Sequence, residues 1–222
     1  MIGRFPFVAL EGVNGAGKSF ARDLVERHFQ QSGHESFMFG QYGWLVPWAT
    51  AVIVAFRERR GGYTISELLE AHVADRRAVF RQVIGPNSES GPIIGDRSLI
   101  SDAPYLEALS GVPAEKVLEV YQAAGLPFPD VTVYLHIDPS DAMRRLHSRG
   151  ESLKAYETSE IIRAVVASYQ RIVETGALAR VSHVITADGR NPTAILPQLD
   201  TFLRSQRNGL HADNLLRAAG DR

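Results

Sequence analysis

The chain has 222 residues, 45% of them hydrophobic and 22% charged, with a formal net charge of −1 and no cysteine. Such a length builds one substantial core and fits a single α/β domain; the near-zero charge argues against a nucleic-acid partner held by bulk electrostatics, and the lack of cysteine excludes disulfides and thiolate metal sites. No apolar run reaches the ~18 residues of a membrane span and the N-terminus lacks the layout of a secretion signal, so a cytoplasmic location is expected.

An apolar run over 5–10 predicts the first strand, and residues 18–31 the first helix, stopped at Gly33. Between them stands GVNGAGKS at 12–19, the G-x-x-x-x-G-K-[ST] spacing with a strand before it and a helix after it. Gly12, Gly15 and Gly17 let the backbone wrap closely with its N–H groups turned inward. The helix N-terminus adds dipole and unpaired donors. Lys18 has the reach for β- and γ-phosphates, and the Ser19 hydroxyl can join a Mg²⁺ shell. With Asn14 and Ala16 completing it, the loop predicts ATP as ligand. A glycine-rich turn matching by chance is the competing reading, which the flanking strand and helix oppose.

Further along, a short strand is expected at 36–39, then a loop and turn carrying Trp44 and Trp48. Helices are expected at 49–60, ended by Gly61 and Gly62, and at 67–84, capped by Ser66. A turn-rich loop over 86–91 precedes a third strand at 92–95, which runs into Asp96, Arg97 and Ser98. Then follow helices at 102–109 and 114–124, a β-branched strand at 131–137, a helix at 140–148 and a polar segment at 151–158. A long helix at 159–175, a strand at 181–186 and a helix at 192–205 complete a strand–helix alternation that points to βαβ units and a parallel sheet. The polar stretch 206–222 reads as a frayed or flexible tail.

Phosphoryl transfer needs a metal partner at the sheet's carboxyl edge, cations for the moving group and a place for the acceptor. Asp96, at the end of the Ile93-Ile94 strand, suits the metal or its waters. Arg97 beside it suits an acceptor phosphate, which a guanidinium binds bidentately. A helix-capping Asp with a surface Arg is the plainer reading of that pair. Arg144, Arg145 and Arg149 cluster on and just after one helix, followed by a polar segment that can close over the triphosphate as a lid; a solvated basic face explains the cluster equally well.

Together these stretches resemble the thymidylate kinases, a family of P-loop nucleoside-monophosphate kinases. The resemblance covers most of residues 5–205 and is strongest in FVALEGVNGAGKS, LLEAHVADRRAVFRQVIGP, PIIGDRSLISDAPYLEAL and PDVTVYLHIDPSDAMRRLHSRG. It implies an α/β fold with a five-stranded parallel sheet flanked by helices, a single kinase domain over 1–205 and a lid near 149–158. It also implies Mg-dependent transfer of the γ-phosphoryl of ATP onto a nucleoside monophosphate. Carried over, the 12–19 loop holds ATP, Asp96 serves the magnesium and Arg97 grips the acceptor's phosphate. Arg76 matches the family's base-contacting arginine, Tyr105 falls where an aromatic lies against the acceptor's sugar, and Arg149 with the segment after it matches the lid. Homodimers through long helices are common in the family, and the apolar run 49–56 is a candidate contact surface.

This chain departs from that pattern on the acceptor side. Asn14 stands where the family has Asp against the acceptor's sugar, and GQYGWLVPW at 40–48 replaces a Pro-Arg-Glu-Pro-Gly-Gly run that carries a second phosphate-binding arginine. His72 stands for the stacking Phe, Ser98 for Tyr, and Lys154-Ala155-Tyr156-Glu157 for a lid run with an arginine. The expected activity is therefore a nucleoside-monophosphate kinase whose acceptor need not be thymidylate. A kinase for an unphosphorylated hydroxyl is the alternative, because Gly95-Asp96-Arg97-Ser98 and Trp44 are similar to deoxynucleoside kinases. Such an enzyme needs a carboxylate base after the second strand, and no Asp or Glu lies between Glu35 and Glu58. A nucleotide-binding regulator without catalysis is the third reading. Trp44 can stack an acceptor base or pack a helix start, and His72 can face the acceptor or the core. Glu11 can order magnesium water or cap a strand end. Arg57, Arg59 and Arg60 read as a solvated helix end, and the scattered histidines suggest no metal site.

Overall fold

A computed structural model describes residues 5–150 and 152–205; the tail expected at 206–222 lies outside them. Five strands form one sheet: β1 (Phe7–Glu11), β2 (Phe37–Gly40), β3 (Ile93–Asp96), β4 (Val131–His136) and β5 (His183–Asp188), in spatial order β2-β3-β1-β4-β5. All four pairings are parallel. β1 is central and buried on both faces, as its unbroken apolar run requires. Alternation sends Val8 and Leu10 into the larger core with Val25, Phe29 and Val133, and Phe7 and Ala9 into a smaller one with Val79, Ile84 and Ile93. The expected α/β fold with a five-stranded parallel sheet is therefore observed.

The helices are α1 (Lys18–Gln31), α2 (Pro47–Arg57), α3 (Ile65–Val79), α4 (Gly85–Ser88), α5 (Asp102–Ser110), α6 (Ala114–Ala123), α7 (Pro139–Ser148) and α8 (Ser159–Glu174), with a closing helix over 195–205. Sequence reading misplaces several ends. α2 starts two residues early because Pro47 sits at its first turn, where a missing N–H costs nothing. Thr64, rather than Ser66, caps α3: its Oγ1 accepts from Glu67 N at 3.2 Å and the Glu67 carboxylate accepts from Thr64 N at 2.7 Å. The helix expected at 67–84 widens into a π turn at Phe80–Ile84 and then resumes through α4. Pro86 inside it donates no N–H and crowds the carbonyl four residues back, and the wider turn makes room. In the apolar run 49–56, Ala49, Ile53 and Phe56 turn inward and are buried, while Trp48 stays half exposed.

Parallel register decides where the chemistry emerges. Leu10 pairs with Asp96, Gly40 also pairs with Asp96, and Glu11 pairs with Tyr134. The loop after β1, the Asp96–Arg97 step and the Gln41–Trp44 turn thus leave one sheet edge side by side, the edge at which open α/β sheets bind ligands. Among the described residues, no helix is long and apolar enough to cross a membrane.

Candidate active site

The phosphate loop is held in a shape that only glycine adopts easily. Gly12, Gly15 and Gly17 have φ of 132°, 87° and 96°. A Cβ on Gly12 would lie 2.7 Å from the Leu135 carbonyl oxygen, and one on Gly15 2.7 Å from that of Ala142, so the backbone of β4 and of α7 presses directly on the loop. Lys18 turns back over it, its Nζ donating to the carbonyls of Gly12 at 3.2 Å and Val13 at 3.0 Å. Burial brings the Lys18 pKa well below the ordinary lysine value; Arg97 pushes the same way, and Asp96 and Glu11 oppose it. Ser19 stands exposed in the first turn of α1.

The arginine cluster divides. Arg145 reaches inward and donates from Nη1 to the Gly15 carbonyl at 3.0 Å and the Gly189 carbonyl at 3.2 Å, bracing the loop from outside. Arg144 pairs with Asp141 at 2.5 Å, a carboxylate it shares with Arg190. Arg149 is exposed at the C-terminal end of α7.

Beside the loop, Arg97 is buried and takes a φ of 76°, left-handed for a residue with a side chain; such conformations persist where the surroundings over-determine them. Its backbone N–H donates to Leu10 O at 3.0 Å. Its guanidinium donates to Asn14 Oδ1 at 2.6 Å, Ser101 Oγ at 3.0 Å and Tyr105 OH at 3.2 Å. Every one of these partners is neutral, and Arg97 forms no ion pair among the described residues. Asp96 is half exposed, with Arg22 at 4.0 Å. Glu11, fully buried, accepts from Ser98 N at 2.8 Å, Ser98 Oγ at 2.7 Å, Tyr169 OH at 2.8 Å and Ser101 Oγ. Burial raises its pKa against those hydrogen bonds. Internal donors thus occupy both Glu11 oxygens, which is the strand-end reading rather than the magnesium-water one.

Beside Arg97, the residues Asn14, Gln41, Tyr42, Phe56, Arg57, Arg97, Tyr105, Leu109 and Tyr156 enclose a cavity of about 30 Å³, a water-sized space. Arg76 lies behind this wall. It makes a two-pronged pair with Asp102, Nε to Oδ2 at 2.8 Å and Nη2 to Oδ1 at 2.6 Å, and also donates to the Gln41 carbonyl and lies under the Tyr42 ring, 4.3 Å from its centroid. Asp102 further accepts from Gln41 Nε2 at 2.8 Å, Tyr42 OH at 3.3 Å and Tyr121 OH at 3.2 Å. Desolvation works against the Asp102 charge, yet Arg76 and His72 outweigh it and hold the carboxyl well below the usual range. His72 is sealed in the core, Nδ1 3.2 Å from Asp102 Oδ2 but poorly angled for a hydrogen bond. Of the two readings of His72, the structure shows the core one. Trp44 is 41% exposed and its ring stacks on Tyr42 at 4.8 Å, while its backbone N–H donates to Asp75 Oδ1 at 3.1 Å.

A family model for thymidylate kinase matches residues 10–187, a span that takes in the loop, the Asp96–Arg97 step and α7. The chain belongs to the thymidylate kinase family. It is 32% identical over 159 residues to a thymidylate kinase of Chlorobaculum tepidum, covering 70% of this chain and 73% of that protein. With the Leptospira borgpetersenii thymidylate kinase it shares 28% over 210 residues, 90% of this chain and 94% of the other. A probable thymidylate kinase of Staphylothermus marinus is 29% identical over 177 residues, 79% and 85% of the two chains. As a member of the thymidylate kinase family, the protein is an ATP-dependent phosphotransferase that phosphorylates a nucleoside monophosphate.

In this thymidylate kinase family member the segment expected as a lid lies against the pocket. Glu157, buried, accepts from Asn14 Nδ2 at 2.5 Å and from Lys154 N at 2.7 Å. Tyr156 packs edge-on to Tyr105 at 5.8 Å. Arg57, read in sequence as part of a solvated helix end, lines the cavity instead, because the last turn of α2 points its side chain at Tyr42 and Tyr156 while Glu58, Arg59 and Arg60 remain exposed. Sequence reading also missed Asp102 and Glu157 as organising carboxylates. The only signal for Asp102 was its place six residues after Asp96, which carries no charge pattern of its own.

Proposed function

We propose that the chain moves the γ-phosphoryl group of ATP, bound on the 12–19 loop with Mg²⁺, onto a nucleoside monophosphate whose phosphate Arg97 grips. The observation that carries this reading is Arg97 itself: a buried guanidinium, in no ion pair among the described residues, tethered to the phosphate loop through Asn14 at 2.6 Å. An anion bound there meets Lys18 on one side and Tyr105 on the other. A phosphate acceptor is already ionised near neutral pH, so the site needs placement and positive charge rather than a strong base. None of the nine residues around the cavity is a carboxylate, which supports a phosphate acceptor over a hydroxyl that must lose a proton.

The donor set at the loop suits magnesium. Asp96 offers a half-exposed carboxylate and Ser19 an exposed hydroxyl, oxygen donors of the kind Mg²⁺ takes together with waters and phosphate oxygens. Bound there, the ion would neutralise phosphate charge. Lys18 swings from the loop carbonyls to the triphosphate, Arg145 keeps the loop in shape, and Arg149 with the lid brings further charge over the phosphates. Tyr105 backs Arg97 and the acceptor's sugar. Arg76 and His72 act from behind the wall, fixing Asp102, Gln41 and Tyr42, so the base meets Tyr42, Phe56 and Leu109 instead of the Arg76–His72 face. Trp44 extends that aromatic wall. Thymidylate, which the relatives' names point to, is accordingly measured beside other monophosphates.

Arg97→Ala tests the assignment. Turnover of the monophosphate should fall at least about 100-fold, the loss seen when a charge-stabilising donor is removed, with ATP affinity nearly unchanged. Equal kinetics in variant and parent would sink the role of Arg97.

A further inference from the structure

Arg57, at the last residue of α2, lines the same cavity as Arg97. Its Nη2 donates to Tyr156 OH at 3.1 Å, and its guanidinium lies 5.1 Å from the Tyr42 ring centroid, 5.6 Å from that of Trp44 and 5.7 Å from that of Tyr156. Like Arg97, it forms no ion pair among the described residues. The third arginine near Tyr42, Arg76, is neutralised by Asp102. The pocket therefore holds two guanidinium groups with no ion pair among the described residues, and none of its lining residues is a carboxylate.

That charge count selects a ligand. A phosphate monoester carries about −1.5 to −2 near neutral pH, so a single arginine leaves much of it unmatched, whereas two match it. Guanidinium stacking also leaves the right groups free. Aromatic rings cover the flat faces, and the N–H edge stays open for oxygen atoms in its plane. Among the described residues, only Nη2 of the Arg57 donors is engaged, and by a tyrosine hydroxyl that a phosphate oxygen would readily replace.

Resting on the reading of the chain as a nucleoside-monophosphate kinase, the geometry points to Arg57 as the second cation on the acceptor's phosphate, supplied by α2 and parked on Tyr156 until the acceptor enters. The cavity is too small for a nucleobase, so Tyr156 and Arg57 must part for the acceptor to enter. Arg57 then turns from the tyrosine hydroxyl to the phosphate and works opposite Arg97. The lid residue and the acceptor's phosphate compete for the same guanidinium, which ties lid position to acceptor occupancy.

The experiment uses the full-length chain with Arg57→Ala and Arg57→Gln, the latter keeping size and a polar edge in case the former folds poorly. Steady-state kinetics are run with ATP, Mg²⁺ and whichever of the common deoxynucleoside monophosphates the parent uses fastest; the matching nucleoside is measured as a competitor. Both variants should lose about 10–100-fold in kcat/KM for the monophosphate, the scale of a lost charged hydrogen bond. The KM for ATP and the inhibition constant of the nucleoside, which has no phosphate, should stay within about twofold to threefold. Parallel weakening of monophosphate and nucleoside would make Arg57 a wall for sugar or base and overturn the proposal, as would unchanged kinetics. A parent inactive on every monophosphate defeats the underlying reading and this proposal with it, whereas an active parent with unaffected variants defeats Arg57 alone.

Discussion

Asn14 and Glu157, 143 residues apart, meet through a 2.5 Å hydrogen bond from the Asn14 amide to the Glu157 carboxylate, while the carbonyl of the same amide accepts from Arg97 at 2.6 Å. One side chain thus joins the phosphate loop, Arg97 and the 152–158 segment. An amide can do this because it has a donor end and an acceptor end. The aspartate that the family resemblance led us to expect at this position would satisfy Arg97 but set a second carboxylate against Glu157.

That pairing gives a prediction about the lid. Asn14→Asp should cost about 1–3 kcal/mol in urea unfolding, the scale of a partner lost in a partly buried place, and should make the 152–158 segment easier to cleave with a protease. Adding Glu157→Gln should restore most of the loss, since a donor again faces a carboxylate. An Asn14→Asp protein as stable and as protected as the parent would contradict the link.

Asp102 is a prediction about pH as well as stability. Its pKa lies below the unfolded value of 3.8, so its contribution is fully present above that value and is lost as pH falls through the lower folded value. Asp102→Asn takes from Arg76 its two-pronged carboxylate partner and leaves only Asp75, 3.2 Å from Nη1, among the described residues; breaking that buried pair should cost about 3 kcal/mol. The gap between parent and variant should be level from pH 8 to about 5 and narrow only below about 4. A gap that changes across neutral pH would mean another group carries it.

Lys18 should be needed for transfer and dispensable for folding. Lys18→Ala should lower kcat about 100-fold or more, while its melting temperature stays close to the parent's. Because the folded Lys18 pKa is depressed, the charged form is lost earlier than for a free lysine. For the parent, kcat/KM for ATP should therefore begin to fall at a pH well below 10.5, read from an alkaline profile. A profile flat up to the ordinary lysine pKa would contradict the buried environment.

Gly15 offers a test of the loop that involves no charge. Gly15→Ala places a methyl 2.7 Å from the Ala142 carbonyl oxygen at a φ of 87°, so the loop or α7 must shift. ATP binding by calorimetry should weaken at least about tenfold. Unchanged affinity would show that the loop shape is not what holds the nucleotide.

The loop and sheet were legible because their causes are local. Glycine spacing encodes left-handed backbone at Gly12, Gly15 and Gly17, and the apolar run of β1 encodes burial on both faces. The acceptor wall was less legible because its causes lie far apart in the chain. Asp102 gathers Gln41, Tyr42, Arg76 and Tyr121 from separations of 19 to 61 residues, and nothing at position 102 announces that. Arg76, a base contact by the resemblance, lies behind the cavity wall with Asp102 claiming its charge. Arg57, Arg59 and Arg60 look alike in sequence, and only the exit angle of α2 sends the first of them into the cavity.

The most direct test of the central claim is ³¹P NMR of the full-length protein with ATP, Mg²⁺ and, in separate tubes, each common nucleoside monophosphate and each matching nucleoside. A nucleoside diphosphate should accumulate with at least one monophosphate, in step with ADP, and the nucleosides should stay unmodified. Phosphate appearing on a nucleoside hydroxyl, or ATP left intact in every tube, would contradict it.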